Sequence, residues 1–130
     1  KFDDSLKIDN GNTLIEQNYK KSRIVISSYP GTVHNECLNF NIPVVMFWDE
    51  ELWQYHVSTK AIMKELKKVG IFHSNPISAA RHINQIWDSI DEWWNDPIVI
   101  KAKKSYCRKY AYSDKNLLCN FYKSTIAIDE

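Results

Sequence analysis

The chain has 130 residues, 17 Lys and Arg against 16 Asp and Glu for a net charge of +1, and 44% hydrophobic residues. That length and composition describe one globular domain with a single core and exclude a disordered chain. A charge this close to zero, with Lys and Arg spread along the sequence, argues against a dedicated nucleic-acid binder. No apolar run approaches the roughly 20 residues that cross a bilayer, and no signal peptide is visible. Cys37, Cys107 and Cys119 are odd in number and form no CxxC pair, so neither a disulfide framework nor a zinc knuckle is expected. The cytoplasm is the expected location. Five Trp and seven Tyr are many for this length; most are expected in the core, with some free to stack on a sugar or base.

The first residues, Lys1 to Asn12, are charged and without apolar periodicity, and no initiator Met opens the chain. It reads as a piece of a longer polypeptide. Asn12 or Thr13 is placed to cap a helix running to about Lys21, with Glu16 completing a capping box if Thr13 is the cap. Leu14, Ile15 and Tyr19 would form its buried side. Ile24-Val25-Ile26 is a β-branched run of the kind found in strands covered on both faces.

The turn Ser27-Ser28-Tyr29-Pro30-Gly31-Thr32 follows, with Thr32 suited to cap the next helix. Val33, Cys37 and Phe40 recur at helical spacing, and Asn41 suits the left-handed position at the helix end. Val44-Val45-Met46-Phe47 is a second buried strand, so the two runs and the helix between them make a parallel βαβ unit. A loop carries Trp48, Asp49 and Glu50. Helix is expected from about Val57 to Lys68, stopped by Gly70, and Ile71-Phe72 is a minimal strand. A helix from Asn75-Pro76 buries the row Ile77, Ala80, Ile83, Trp87 and Ile90, and Asp91 to Asn95 is a short helical segment. A long helix from Pro97 buries Ile98, Ala102, Tyr106 and Tyr110 and leaves Lys101, Lys103, Lys104, Arg108 and Lys109 solvated. A last helix is expected from about Asp114 to Thr125.

The elements define an α/β fold: a Rossmann-like, partial parallel sheet of about three strands flanked by helices, with a helical C-terminal tail. Residues 1–130 read as a single domain, with a βαβ core over 22–73 and a helical part over 74–130. Three strands are few for such a sheet.

The order Ser22-Arg23-Ile24-Val25-Ile26-Ser27, Gly31-Thr32, Glu36, then Asn41 to Asp49, followed by Leu66 to His73 and Trp93-Trp94, resembles the C-terminal part of GT-B-type glycosyltransferases. More narrowly, it is similar to transferases encoded with bacterial surface-polysaccharide genes. The resemblance implies a two-domain enzyme whose C-terminal half holds a nucleotide-sugar donor, here CMP-, UDP- or GDP-linked, with no separate cofactor. The glycan acceptor would be held by an N-terminal domain outside this sequence, so the chain alone is expected to be inactive. No membrane span is implied, and the full-length enzyme would work in the cytoplasm with peripheral contact at the inner face of the membrane. The chain departs from the pattern in two places. Tyr29-Pro30-Gly31 replaces a Gly-Gly turn, and Ser28 stands where some retaining members carry a Glu. A double-Ser loop is similar to those of enzymes using CMP-activated sugars.

Ser27, Ser28, Gly31 and Thr32 could bind the donor phosphates or simply join a strand to a helix; the resemblance favours phosphate for Ser28, Gly31 and Thr32. Glu36, early in the helix, has two readings of equal standing, a partner of the helix dipole and a ligand of the ribose hydroxyls, and the resemblance favours ribose. His34, Trp48, Asp49 and Glu50 are candidate sugar or base contacts, though His34 equally suits the surface, inter-domain packing is the favoured use of Trp48, and the two acids could instead cap the next helix. His56, His73 and His82 are too scattered to suggest a metal site. No catalytic residue is identifiable. Two other readings stay open: an epimerase-like nucleotide-sugar enzyme fragment, and a non-catalytic α/β interaction domain.

Overall fold

A computed structural model describes residues 7–111. The elements in chain order are α1 (Ile15–Lys21), β1 (Val25–Ser27), α2 (Val33–Asn39), β2 (Val44–Phe47), α3 (Val57–Lys68), β3 (Phe72–His73), α4 (Pro76–Ile86), α5 (Ile90–Trp94) and α6 (Pro97–Tyr110). The strands form one parallel sheet in the order β1-β2-β3, with Ser27 beside Met46 and Met46 beside Phe72. This is the α/β architecture expected from the sequence. The helix anticipated from Asp114 lies outside the described residues.

The central strand is the most deeply buried element. Val44, Val45 and Met46 are fully enclosed, and the core continues through Leu66, Ile71 and Phe72. β1 differs from expectation. It is an edge strand, and Ile26 remains 54% exposed, so only one of its faces is covered among the described residues.

Several helix faces also depart from the simple periodic reading. The Thr13–Glu16 capping box does not form; α1 begins after Leu14, with no side-chain cap. The residues before it fold into local turns, in which Asp9 and Asn10 side chains accept from the amides of Gly11 and Asn12. Of the expected α1 face only Tyr19 is buried, while Leu14 and Ile15 stay exposed. In α2 the buried stripe is His34, Cys37 and Leu38, because the helix stops at Asn39 and Phe40 turns outward at the cap. In α4 the inward residues are Ala79 and Ile86, with Ile77, Ala80 and Trp87 exposed; the expected row assumed a helix continuing to Ile90, whereas the chain turns after Ile86 and Ile90 opens α5. In α6 the buried set is Val99, Ala102, Lys103 and Tyr106, with Ile98 exposed and Lys103 only 6% exposed.

Both crossover helices end the same way. After α2, the amides of Asn41 and Ile42 donate to the carbonyls of Leu38 and Cys37, with Asn41 at φ 57°. After α3, the amides of Gly70 and Ile71 donate to Lys67 and Leu66, with Gly70 at φ 79°. Each is a Schellman termination, whose left-handed residue turns the chain straight into the next strand. Both terminators were legible in the sequence. At Gly70 a side chain would meet two obstacles: the left-handed backbone, and the His82 ring 2.3 Å from where a Cβ would lie. Gly70→Ala is therefore expected to cost at least about 2 kcal/mol, read as a lower urea midpoint with an unchanged m value.

Candidate functional site

The sheet register brings three loops to one edge. Ser27, Phe47 and His73 end their strands at that edge, so the chain leaves it through residues 28–32, 48–56 and 74–75. The carboxyl edge of an open parallel sheet is where such folds take ligands. Ser28, Gly31, Thr32, Asp49 and Glu50 all lie on these loops.

The first loop is shaped from inside. Ser27 is buried, and its Oγ donates to the Tyr29 carbonyl at 3.1 Å. The Gly31 amide donates to the same carbonyl at 2.9 Å. Ser27 thus fixes the turn, and its hydroxyl is already spent. At Gly31 a Cβ would lie 2.6 Å from the exposed Tyr29 ring, so a side chain there would have to displace that ring. Thr32 occupies the N-cap of α2 but makes no capping bond. A capping oxygen reaches the helix amides from an extended backbone, and Thr32 is already helical at φ −82°, ψ −26°. The exposed hydroxyl-bearing residues of the turn are Ser28, Tyr29 and Thr32.

Glu36, half-buried one turn further on, accepts a hydrogen bond from the Tyr19 hydroxyl at 3.1 Å through Oε2. Burial, and then this carboxylate, push Tyr19 up to about 12. Two of the anticipated ligand contacts belong to the core instead. His34 is 4% exposed, packed between Trp48 at 5.5 Å and Tyr106 at 6.2 Å between ring centroids. Burial lowers its pKa to about 4, so at neutral pH it carries no charge to offer an anion. Trp48, one residue beyond β2, turns inward onto the Phe72 ring at 4.8 Å.

The second and third loops carry a cluster that no local pattern in the sequence reveals. Glu50 Oε2 accepts from Ser74 Oγ at 2.7 Å and from Lys67 Nζ at 2.9 Å, and Glu50 Oε1 accepts from the Tyr55 hydroxyl. The Tyr55 bond, with Lys67 and Ser74 outweighing partial burial, holds the Glu50 carboxyl down at about 2. Asp49 stays exposed, with Oδ1 accepting from the Glu51 amide at 2.8 Å. A cleft of about 970 Å³ opens beside the cluster, lined by Glu50, Tyr55, Lys60, Met63, Lys64 and Lys67. A carboxylate ionised so firmly orients hydroxyl groups well but is a poor general base near neutral pH. The sequence signal was slight: Glu50 and Ser74 each follow closely on a strand end.

His73 and His82, distant in sequence, stack with centroids 5.3 Å apart, and burial lowers both pKa values. His56 accepts from the Ser58 amide as the cap of α3. Among the described residues no three His, Cys, Asp or Glu converge to hold a metal ion, and no helix is long and apolar enough to cross a membrane. Cys37 and Cys107 are free thiols.

The sequence matches, over residues 1–125, the family described as LIC12162 family transferase. The family match, together with this α/β fold, puts the chain among transferases. It belongs to the LIC12162 transferase family. No curated protein and no solved structure matches it.

Proposed function

We propose that this chain is the donor-binding part of a GT-B-type glycosyltransferase that moves a sugar from a nucleotide to a growing surface glycan. The observation that carries the reading is the gathering of the Ser27–Thr32 turn, the Asp49–Glu50 loop and Ser74 at the carboxyl edge of one parallel sheet, in a chain of a transferase family. Ser28 and Thr32 offer hydroxyls to the donor phosphates, and Gly31 keeps the turn open enough for close approach. Glu36 Oε1 remains available for a ribose hydroxyl while Oε2 is held by Tyr19. Glu50, ionised and fixed by three partners, orients hydroxyls of the transferred sugar. Charge developing on the departing phosphate is met by donors already in place, which is the main source of rate in such transfers. The acceptor and the catalytic base belong to a further domain, so this chain alone should not turn over.

The test is an amide-resolved NMR titration with CMP, UDP, GDP and ADP in turn. Localised shifts at Ser28, Gly31, Thr32 and Glu36 with one nucleotide are expected. They should vanish in Gly31→Ala, whose fold survives because the exposed Tyr29 ring can swing aside. Shifts confined to other residues, or equal shifts in the variant, would remove the donor role from this turn.

A further inference from the structure

The chain's near-neutral charge hides a strong segregation. α3 and α6 together carry nine Lys and Arg and a single acid, Glu65, in a chain whose totals are 17 and 16. The two helices therefore hold a charge of +8, and everything else holds −7. Even spacing along the sequence concealed this; folding brings the two helices side by side. At one end Lys109 Nζ donates to the Ser58 carbonyl at 3.1 Å and Tyr110 Oη to Thr59 Oγ1 at 2.7 Å. At the other, Lys68 and Val69 of the α3 end share a groove with Ile98, Lys101 and Ala102 of α6.

The cations point outward in two rows. Lys60, Lys64 and Lys68 recur every fourth residue along α3, and Lys101, Lys104 and Arg108 follow the outer side of α6. All six are exposed, and none is in an ion pair among the described residues; the pair that does form is Lys67 with Glu50. The carboxylates on these elements and the loop before them are few. Glu65 lies in the groove with Lys68 and Lys101, Glu50 is bound to Lys67, Asp49 and Glu51 are on the loop before α3, and Asp96 caps α6. Large apolar side chains stand exposed in the loop before α3 and at the starts of the two helices. Leu52 is 79% and Trp53 51% exposed before α3, Val57 begins that helix in the open, and Ile98 does the same in α6.

We infer that the α3–α6 face docks on an anionic phospholipid surface. Lys dominates the rows five to one, which suits diffuse attraction to headgroups, whereas bidentate recognition of phosphates along a nucleic acid draws on Arg. Trp and Leu beside such rows are the side chains that settle at a bilayer interface, with lysine stems lying along apolar surface and ammonium groups in water. Lys60 and Lys64 also border the cleft beside Glu50, but the rows lie apart from the Ser27–Thr32 turn, so loss of nucleotide shifts at that turn and loss of vesicle binding are separate outcomes.

The experiment is co-sedimentation of the chain with phosphatidylcholine vesicles, with and without phosphatidylglycerol, at low and high salt. Binding is expected to the phosphatidylglycerol vesicles alone and to be lost at high salt. Neutralising Lys64, Lys101 and Lys104 together by Lys→Gln should weaken it about a hundredfold, at about fivefold per cation. These side chains are exposed, so the variant should keep the wild-type thermal unfolding curve. Trp53→Ala should weaken binding and leave its salt dependence unchanged. Equal binding to both vesicle types, no binding to either, an unaffected triple variant, or retention of duplex RNA or DNA in place of vesicles would each overturn the inference.

Discussion

Trp94→Ala is expected to lower the unfolding free energy by about 3–5 kcal/mol, measured by urea denaturation followed through far-UV circular dichroism. Trp94 is a fully buried ring where the helical half meets the sheet half. Its Nε1 donates to the Asn41 carbonyl at 3.1 Å, and its ring supports the Lys103 ammonium 3.8 Å from the centroid. Lys103 Nζ in turn donates to the Trp94 carbonyl at 2.8 Å and to Asn41 Oδ1 at 3.0 Å. Removing the ring leaves a large void and uncovers a cation that burial has already pulled down to about 8. Trp94→Phe keeps most of the apolar volume and gives up the indole bond, so a loss nearer 1 kcal/mol is expected. Similar losses for both variants would mean that the hydrogen bond, not the packing, carries the junction. The domain as a whole has only some 5–15 kcal/mol to lose, so the alanine variant should be visibly less stable at room temperature.

The second large effect is acid sensitivity centred on His34. Its pKa is about 4 in the folded protein against an ordinary value of 6.5. The unfolded chain takes up the proton first as pH falls, so stability declines from pH 6.5 downward and levels off below about 4. The loss is about 3 kcal/mol. Among the described residues the ring packs on the aromatic rings of Trp48 and Tyr106, and Nδ1 has no partner. His73 and His82 add slope of the same sign. Glu50 also loses its stabilising bonds in acid, but in the lower window between 4.5 and about 2. His34→Leu is close in volume and carries no proton, so the slope between pH 6.5 and 4 should flatten by most of that amount while stability at pH 7 holds or rises. An unchanged slope would show that the histidine is protonated without cost.

The framework of the fold was legible because it rests on local signals. β-branched runs, a Pro at the start of α4 and α6, and Asn41 and Gly70 at left-handed helix ends act within a few residues of themselves. Which face a short helix buries was less legible. In α2, seven residues allow two stripes one position apart, and the outcome depended on where Phe40 met the cap. Lys103 defeated the periodic reading for another reason. A lysine becomes a core residue only if acceptors wait for it, and Asn41 and Trp94 lie 62 and 9 residues away. The turn from Ser27 to Thr32 could be picked out as a candidate from its composition. The Glu50 cluster could not, since Lys67 and Ser74 reach it from 17 and 24 residues on.

The way α6 closes over the domain has a kinetic consequence. Strands β1 and β2 pair residues 19 apart, whereas α6 finds its partners Asn41, Asn35 and Thr59 at separations of 62, 71 and 51. Loop closure over such lengths costs little more free energy than over short ones but slows the search. On separation alone, the strand–helix repeat from Val25 to His73 is expected to form ahead of the long-range α6 contacts. The sides of α2 and α3 that α6 covers are then the last apolar surface expected to leave water. Once α6 is down, its contacts govern how slowly the protein comes apart more than how fast it comes together.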